Sequence, residues 1–220
     1  MNYGEIKKAA QSYTDRYDAE LVTSLPAFSR VVESKINTAL KTGEQSVRAQ
    51  IYLSDGEEFY GLPSDWGGFR DVELVKKGSA NLGAINAKSG FGGKTLRYAS
   101  PEYMNQLERR QDGGHGSFYT VIADQIQVAP PSVGDVLECV YYQLVPALKE
   151  DADENWLSEK HPDVYIYGLA SEIASFAKDE ASFMAYDARF KESLSNIIKD
   201  DQVTRWSGPS LRTEVDGLIV

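Results

Sequence analysis

The feature that most constrains the fold is a change in the spacing of apolar residues along the chain. At both ends, apolar residues recur every three to four positions, as they do on one face of an amphipathic helix. In the middle, apolar and polar residues alternate with the period of two of a half-buried strand. Helices, then strands, then helices predict an α+β fold, in which an antiparallel β unit is inserted into a helical bundle.

These boundaries divide the chain into one domain and an arm. The domain is predicted to span 1–203, with helices in 1–45 and 146–203 around a β insertion at 46–145. An extended C-terminal arm, 204–220, has Gly208-Pro209 and no periodicity, yet it is rich in apolar residues. Since disordered tails are usually poorer in apolar residues, we expect the arm to pack on its own domain or to dock onto a partner.

Individual helices are predicted at 3–14, 24–43, 100–110 and around Trp156, followed by a hairpin of 162–179 and 179–201. For the second helix, Ser24 is the candidate N-cap, Pro26 lies in the first turn and Gly43 ends it. Ser100 and Asp179 are caps of later helices. Gly168 and Ala170 would let another backbone approach their helix closely.

Strands are predicted from period-two alternation and are separated by short turns. They cover 47–53, 69–78, 117–123, 125–129 and 135–145, and the segment 54–68 is predicted to be turn-rich. The short connections among the last three strands predict antiparallel pairing.

Composition excludes several classes of function. The net charge is −10 and the pI is about 4.8, which makes a DNA-gripping module improbable because phosphate binding needs clustered Lys and Arg. Cys139 is the single cysteine and is expected to be structural and buried. His115 and His161 lie far apart and fit no zinc pattern. We expect no cofactor, no membrane span and a reducing, aqueous compartment.

One stretch imitates a nucleotide-binding loop. Gly93-Lys94-Thr95 ends like the phosphate loop of nucleotide hydrolases, but the required glycine at position 88 is Lys88. No buried strand precedes it, and the approach to Pro101 disfavours a helix at Thr95. We therefore predict a connecting loop.

Carboxylates leave a hydrolase hypothesis open, although we expect the protein not to be an enzyme. A carboxylate pair hydrolyses glycosides only at set separations within a cleft, which sequence does not reveal, and acidic loops are usually solvated. The candidates are Glu57, Glu58, Asp65, Asp71, Glu73, Asp151, Asp153 and Glu154.

Aromatic residues offer a binding-module alternative. In Tyr141-Tyr142, one ring must face away from the buried side of its sheet. Trp66 and Tyr142 are the candidate residues of a carbohydrate-binding platform.

Six stretches, in this order and spacing, resemble the head-to-tail adaptor (connector) proteins of tailed bacteriophages, especially those of short-tailed phages. The resemblance covers about 20–212, and only the glycine-rich loop 78–95 departs from it in length. The stretches are "LPAFSRVVESKINTAL", "LPSDWGGFRDVEL", "YASPEYMNQL", "FYTVIADQIQVAPPSVGDVLECVYYQLVPAL", "NWLSEKHPDVYIYGLASEIASFAKDE" and "RWSGPSL".

The resemblance implies a structural virion protein of the neck, made in the host cytoplasm. Such adaptors form rings of about twelve copies between the portal and the tail tube or nozzle protein, and double-stranded DNA passes through the lumen without specific binding during genome ejection. Trp66, Phe69 and Tyr142 would contact neighbouring subunits or the tail. The residues implied in portal binding by the arm are Arg205, Trp206, Pro209, Leu211, Arg212, Leu218 and Ile219.

Overall fold

The computed structural model describes residues 1–54, 57–76, 94–109, 118–129 and 135–206. The chain separates into two compact units. Met1–Glu44 and Val145–Val220 form a helical unit, and Gln45–Leu144 form a β unit. Helices at both ends and antiparallel strands between them confirm the α+β fold class.

The helical unit is organised around one central helix. Its members are α1 (Tyr3–Thr14), α2 (Ala19–Ala39), α4 (Trp156–Lys160), α5 (Pro162–Phe176) and α6 (Glu180–Trp206). α5 packs against all four of the others. The sequence explains this position, because α5 carries apolar or small residues on every side, and a helix of that kind is stable only inside a bundle.

The point of closest packing on α5 is Gly168. A Cβ at this position would lie 2.6 Å from Cγ1 of Val32 in α2 and 3.2 Å from Cε2 of Phe190 in α6. A close approach at Gly168 is therefore present, but the side chains of two helices make it, whereas the sequence predicted the approach of another backbone. Because glycine has no side chain here, α2 and α6 can both pack against the same part of α5.

α2 begins earlier than predicted. Its first residue is Ala19, and Ser24 lies inside the helix with its hydroxyl donating to the carbonyl of Glu20. Pro26 also lies inside the helix, on its exposed side. The prediction did not use Leu21, which is fully buried and extends the apolar face of the helix upstream of Pro26. The burial of Leu21 stabilises the helix more than the backbone hydrogen bond missing at Pro26 destabilises it.

α2 also ends before the predicted stop. Leu40, in an extended conformation, is its C-cap, and Gly43 lies in a short 3-10 turn beyond it.

The other predicted helices are confirmed, as are the predicted caps Ser100 and Asp179, whereas the caps of α1 and α4 were not predicted. α1 has a capping box of Asn2 and Glu5, and α4 has one of Asn155 and Ser158. The Asp179 carboxylate accepts from the Ser182 backbone N–H at 3.1 Å at the start of α6. In the β unit, α3 (Pro101–Arg109) begins directly after Ser100, as predicted.

The segment that returns from the β unit is fastened to α2. The Asn37 side chain accepts a hydrogen bond from the Val145 N–H at 2.8 Å, and the Glu33 carboxylate accepts one from the Leu148 N–H at 2.7 Å. Asn155 donates to the carbonyl of Pro146 at 2.7 Å. Burial raises the pKa of Glu33, and the Leu148 N–H opposes that shift. These bonds satisfy the backbone of an irregular segment.

The β unit contains two four-stranded sheets. The first has the order β1-β8-β3-β4 and the second β2-β7-β6-β5; every pair is antiparallel except β5 with β6. The strands are β1 (Ser46–Tyr52), β2 (Phe59–Gly61), β3 (Trp66–Lys76), β4 (Lys94–Thr95), β5 (Arg97–Tyr98), β6 (Phe118–Ile122), β7 (Gln125–Ala129) and β8 (Asp135–Gln143).

Two strand predictions are wrong. The last three strands were expected to pair in succession, but only β6 and β7 do so, through a tight turn with Ala123 at φ 55°. β8 lies in the other sheet, between β1 and β3, because its apolar residues suit a central position. The segment 54–68 is also more than turns, since it contains β2 and the start of β3.

The core of the β unit draws side chains from both sheets. Leu137 and Cys139 of β8 contribute from the first sheet, and Ile126 and Val128 of β7 from the second. All four are almost completely buried. Cys139 is thus a packing residue, as its sequence context predicts.

Gly168→Ala tests the packing at the centre of the helical unit. Alanine should favour the helix by about 1 kcal/mol, but its Cβ would overlap Val32 and incur about 1–3 kcal/mol of overpacking. We expect a net loss of stability in denaturant unfolding. Gly61→Ala is the control, because nothing lies within 4 Å of its Cβ position. Equal stability of both variants and the wild type would contradict the packing described.

Candidate interaction surfaces

The aromatic residues predicted as contacts belong to a row of rings in the β unit. Trp66, at the start of β3, has its ring centroid 5.4 Å from that of Phe69, and Phe69 lies 5.7 Å from Tyr119. Tyr98, 62% exposed, ends the row 5.8 Å from Tyr119. The row therefore runs from half-buried rings to one that is open to a partner.

Trp66 and Phe69 offer a partner only part of their rings. Both are half-buried, and Phe69 packs against the core of the β unit. The indole Nε1 of Trp66 is buried, with no hydrogen-bond partner among the described residues. A flat sugar-stacking platform needs an open ring face, so this geometry does not favour the carbohydrate-binding alternative.

The two adjacent tyrosines of β8 point to opposite faces, as predicted. Tyr141 is buried, and its hydroxyl donates to the Asp65 carboxylate at 3.0 Å. Burial, and then the neighbouring Asp65, raise the pKa of Tyr141. Tyr142 is half-buried on the opposite face, and its role as a contact residue stays a prediction.

Asp65, one of the candidate catalytic carboxylates, is occupied by structural hydrogen bonds. Besides Tyr141, it accepts from Gln143 Nε2 at 2.6 Å, and its backbone carbonyl accepts from the Leu144 N–H at 2.8 Å. These bonds tie the loop before β3 to the end of β8.

The acidic turn at 151–154 is also structural. The carbonyls of Asp153 and Asp151 accept from the N–H groups of Tyr3 and Gly4 in the first turn of α1. The Asp153 carboxylate accepts from the N–H groups of Glu150 and Lys149, which lowers its pKa. Free N–H groups at a helix start need acceptors, and this turn supplies them.

Carboxylates do crowd one face of the first sheet. Glu73 of β3 is paired in register with Glu138 of β8, and Asp71 lies two residues away on the same strand. Burial raises the pKa of Glu73, and Asp71 and Glu138 raise it further, while Arg48 on β1 lowers it. Gln50 donates to Glu138 at 2.8 Å. The sequence had pointed to Asp71 and Glu73 but not to Glu138, which only strand register brings beside them.

Neither Cys139 nor the loop that ends at Lys94-Thr95 has the structure that nucleophilic catalysis or nucleotide binding requires. The Cys139 thiol is 1% exposed, and burial raises its pKa to about 12, so it stays protonated. Lys94-Thr95 form β4 and Arg97-Tyr98 form β5, so no helix follows the glycines, as predicted.

The described ranges contain neither a metal-binding cluster nor a helix suited to crossing a membrane. No group of three or more His, Cys, Asp and Glu residues there is placed to hold a metal ion. None of the helices in that part of the chain combines the length and apolar character that crossing a bilayer requires.

Residues 204–206, which were predicted to begin the C-terminal arm, belong to α6 instead. The Arg205 side chain pairs with Asp201 one turn earlier at 2.8 Å, which supports the helix there. Arg205 and Trp206 are thus helical. Pro209, Leu211, Arg212, Leu218 and Ile219 lie outside the described residues, as does most of the glycine-rich loop 78–95.

A cavity that sequence reasoning missed lies where α1 and α5 end and α6 begins. Its volume is about 230 Å³, and the Tyr186 hydroxyl donates to the Tyr13 carbonyl at 2.7 Å beside it. No single segment signals it, because three helix termini contribute. The lining residues are Tyr13, Thr14, Arg16, Ile173, Ala174, Ala177, Asp179, Ser182 and Tyr186.

Exposed apolar side chains mark the outer faces of two long helices. Val22 and Val31 on α2 are about half exposed, and Met184 and Val203 on α6 are 59% and 68% exposed. Single exposed apolar residues are common, but these lie on two helices that both pack on α5.

Of the candidate carboxylates, Asp65, Asp151 and Asp153 hold parts of the fold together. A family model described as SU10 adaptor protein matches residues 1–213. The chain therefore belongs to the SU10 adaptor protein family, which confirms the resemblance to phage head–tail adaptors and makes it a structural phage protein of the adaptor class. No curated protein shows significant similarity to it.

Glu73→Gln tests the carboxylate cluster. The raised pKa means that folding disfavours the ionised carboxylate, so wild-type stability should fall as the pH rises through that pKa. At neutral pH the variant should be more stable by up to about 1 kcal/mol, the scale of a cross-strand pair. Below the unfolded pKa, near pH 4, it should match the wild type.

Denaturant unfolding at the two pH values measures this difference. Glu192→Gln serves as the control, because Glu192 is exposed on α6 and its substitution should change stability little at either pH. A destabilised Glu73→Gln variant at pH 7 would show that the carboxylate is favourably placed.

Proposed function

We propose that copies of this chain form a closed ring in the virion neck, which joins the portal to the tail and surrounds the path of the DNA. Membership of the SU10 adaptor protein family over residues 1–213 carries this proposal. The ring contains about twelve copies, as expected from the resemblance to short-tailed phage adaptors, and the tail tube or nozzle protein binds its far side.

Ring closure needs two different surfaces on each copy. A heterologous interface joins one patch of a subunit to a different patch of the next, and the rotation between them closes the ring. The exposed apolar residues of α2 and α6, and those of the β unit such as Tyr98, supply candidate patches. Trp66, Phe69 and Tyr142 contribute contacts at the edges of their rings.

The charge of the chain suits a DNA conduit. With a net charge of −10, a ring of about twelve copies repels phosphate from its walls, so that DNA slides through without sticking. Such a role requires no catalytic group.

Attachment to the portal is assigned to the C-terminal segment 207–220 together with the end of α6. The segment contributes the apolar Pro209, Leu211, Leu218 and Ile219, which would be buried against the portal, and the cation Arg212. Arg205 and Trp206 stand at the helix end from which the segment departs.

Electron microscopy of the chain mixed with the portal protein of the same source tests the proposal. We expect a ring stacked coaxially on the portal, and its rotational symmetry gives the copy number. A bare portal beside free monomers would overturn the proposal and direct attention to glycan titration.

Deletion of 207–220 isolates the contribution of the segment. The shortened chain should keep its helical circular dichroism and cooperative unfolding, because the described core lies within 1–206. Its attachment to the portal should fall below detection in co-sedimentation. A full-length control with Leu211, Leu218 and Ile219 replaced by serine should fail in the same way, whereas portal binding by either variant would show that the attachment lies elsewhere.

A further inference from the structure

The N-terminal part of α6 carries an exposed apolar stripe. Ala181, Met184, Ala185 and Ala188 recur at the spacing i, i+3, i+4, i+7, which places them along one side of a helix. All four are exposed, and Met184 is 59% exposed. This α6 stripe lies on the side opposite the residues that α6 contributes to the core, which are Phe190, Leu194 and Ile197.

α2 carries a second stripe with the same spacing. Ala19, Val22, Thr23 and Pro26 again follow i, i+3, i+4, i+7, and all four are exposed. Val22 is 51% exposed. The solvent side of a surface helix usually carries charged and polar residues, whereas this α2 stripe is small or apolar. The helical unit therefore presents two uncharged stripes of the same length.

The charged residues beside the stripes select one way of packing them together. Glu20 directly follows Ala19, the first residue of the α2 stripe, and Arg189 directly follows Ala188, the last residue of the α6 stripe; both charged residues are exposed. In an antiparallel arrangement Ala19 lies opposite Ala188, which brings Glu20 beside Arg189. In a parallel arrangement Glu20 would instead meet Glu180. Charge complementarity therefore favours the antiparallel arrangement.

We propose that the α2 stripe of one copy packs antiparallel on the α6 stripe of the next copy, and that this contact is the repeating interface of the ring. The inference deepens the proposed function and rests on it. Each copy uses α2 toward one neighbour and α6 toward the other, so the interface is heterologous, as ring closure requires. The alanines of α6 let the two helices approach closely, and the flexible Met184 lies opposite Thr23.

Disulfide cross-linking tests the interface directly, because Val22 lies opposite Ala185 in this packing. The full-length double variant Val22→Cys/Ala185→Cys, mixed with the portal protein of the same source and mildly oxidised, should give a ladder of covalent oligomers. A mixture of the two single variants should give dimers and nothing larger, since each copy then offers one new thiol. Cys139 is buried and leaves the pattern unchanged.

The chain offers a matched control on α2. Val31 is 44% exposed on the same helix but lies outside the stripe, so Val31→Cys/Ala185→Cys should give no ladder. Dimers from Ala185→Cys alone would show that α6 pairs with α6 of a second copy, which would overturn the proposal.

Substitutions by aspartate measure the same interface without cross-linking. Val22→Asp would bury an unpaired charge and should weaken ring assembly by about a hundredfold or more, whereas Val31→Asp should assemble like the wild type. Circular dichroism and denaturant unfolding check that both variants remain folded. Equal assembly of the two variants, or equal loss in both, would overturn the assignment of the α2 stripe.

A charge exchange tests the antiparallel orientation. Glu20→Arg should weaken assembly about fivefold, and the double variant Glu20→Arg/Arg189→Glu should recover it. Glu159→Arg on α4 changes the net charge equally at an exposed position outside both stripes and should assemble like the wild type. No recovery in a folded double variant would overturn the orientation.

The outcomes separate this interface from the proposed function. Rings of the cysteine double variant that form without a ladder would overturn the interface and leave the ring standing. A ladder from a chain that does not attach to the portal would support the interface while the adaptor role fails. If neither rings nor cross-links form, both proposals are overturned.

Discussion

The burial of α5 on all sides is the constraint on which the helical unit depends. A helix with so little polar surface is unstable in water, so α1, α2, α4 and α6 must surround it. Gly168 sets the spacing, because Val32 and Phe190 occupy the space that a side chain would need there. Since α2 and α6 both pack on α5, their outer faces keep fixed places on the helical unit.

Both connections to the β unit are fastened by hydrogen bonds within the helical unit. Asn37 and Glu33 bind the returning segment at Val145 and Leu148, and Asp201 binds the outgoing segment at Gly43. If both connecting segments lacked these hydrogen bonds, the inserted β unit would be joined to the helical unit by the covalent chain alone. Here, irregular backbone is satisfied by side chains of regular helices, which links the two ends of the insertion to α2 and α6.

The sequence predicts what depends on local pattern. Helix identity, the caps at Ser100 and Asp179, and the strand character of 125–129 follow from periodicity and capping chemistry, and the structure confirms them. The start of α2 was missed because Pro26 looked like a first-turn residue, whereas burial of Leu21 extends the helix past it. The position of β8 was missed because sheet order depends on long-range pairing, which no short window of sequence contains.

For the candidate sites too, the sequence predicts what depends on local pattern and misses what depends on long-range contacts. The sequence shows that Asp65 and Asp153 are polar groups in turns, but it does not show their hydrogen-bond partners. Asp65 accepts from Tyr141, which is distant in the chain. Asp153 accepts from the nearby Lys149 N–H, which only the folded turn points toward it. Glu138 joins Asp71 and Glu73 only through strand register. Family membership, in contrast, was recognisable from six separated stretches, because their order carries information that no single motif has.

Cys139 gives the chain an internal reporter. It is the single thiol of the sequence, it lies between the two sheets of the β unit, and its pKa of about 12 keeps it unreactive while the sheets are closed. A thiol reagent can reach it only when those sheets separate. The labelling rate of unmodified protein therefore records how often the β unit opens, alone or in an assembly, without the introduction of any probe.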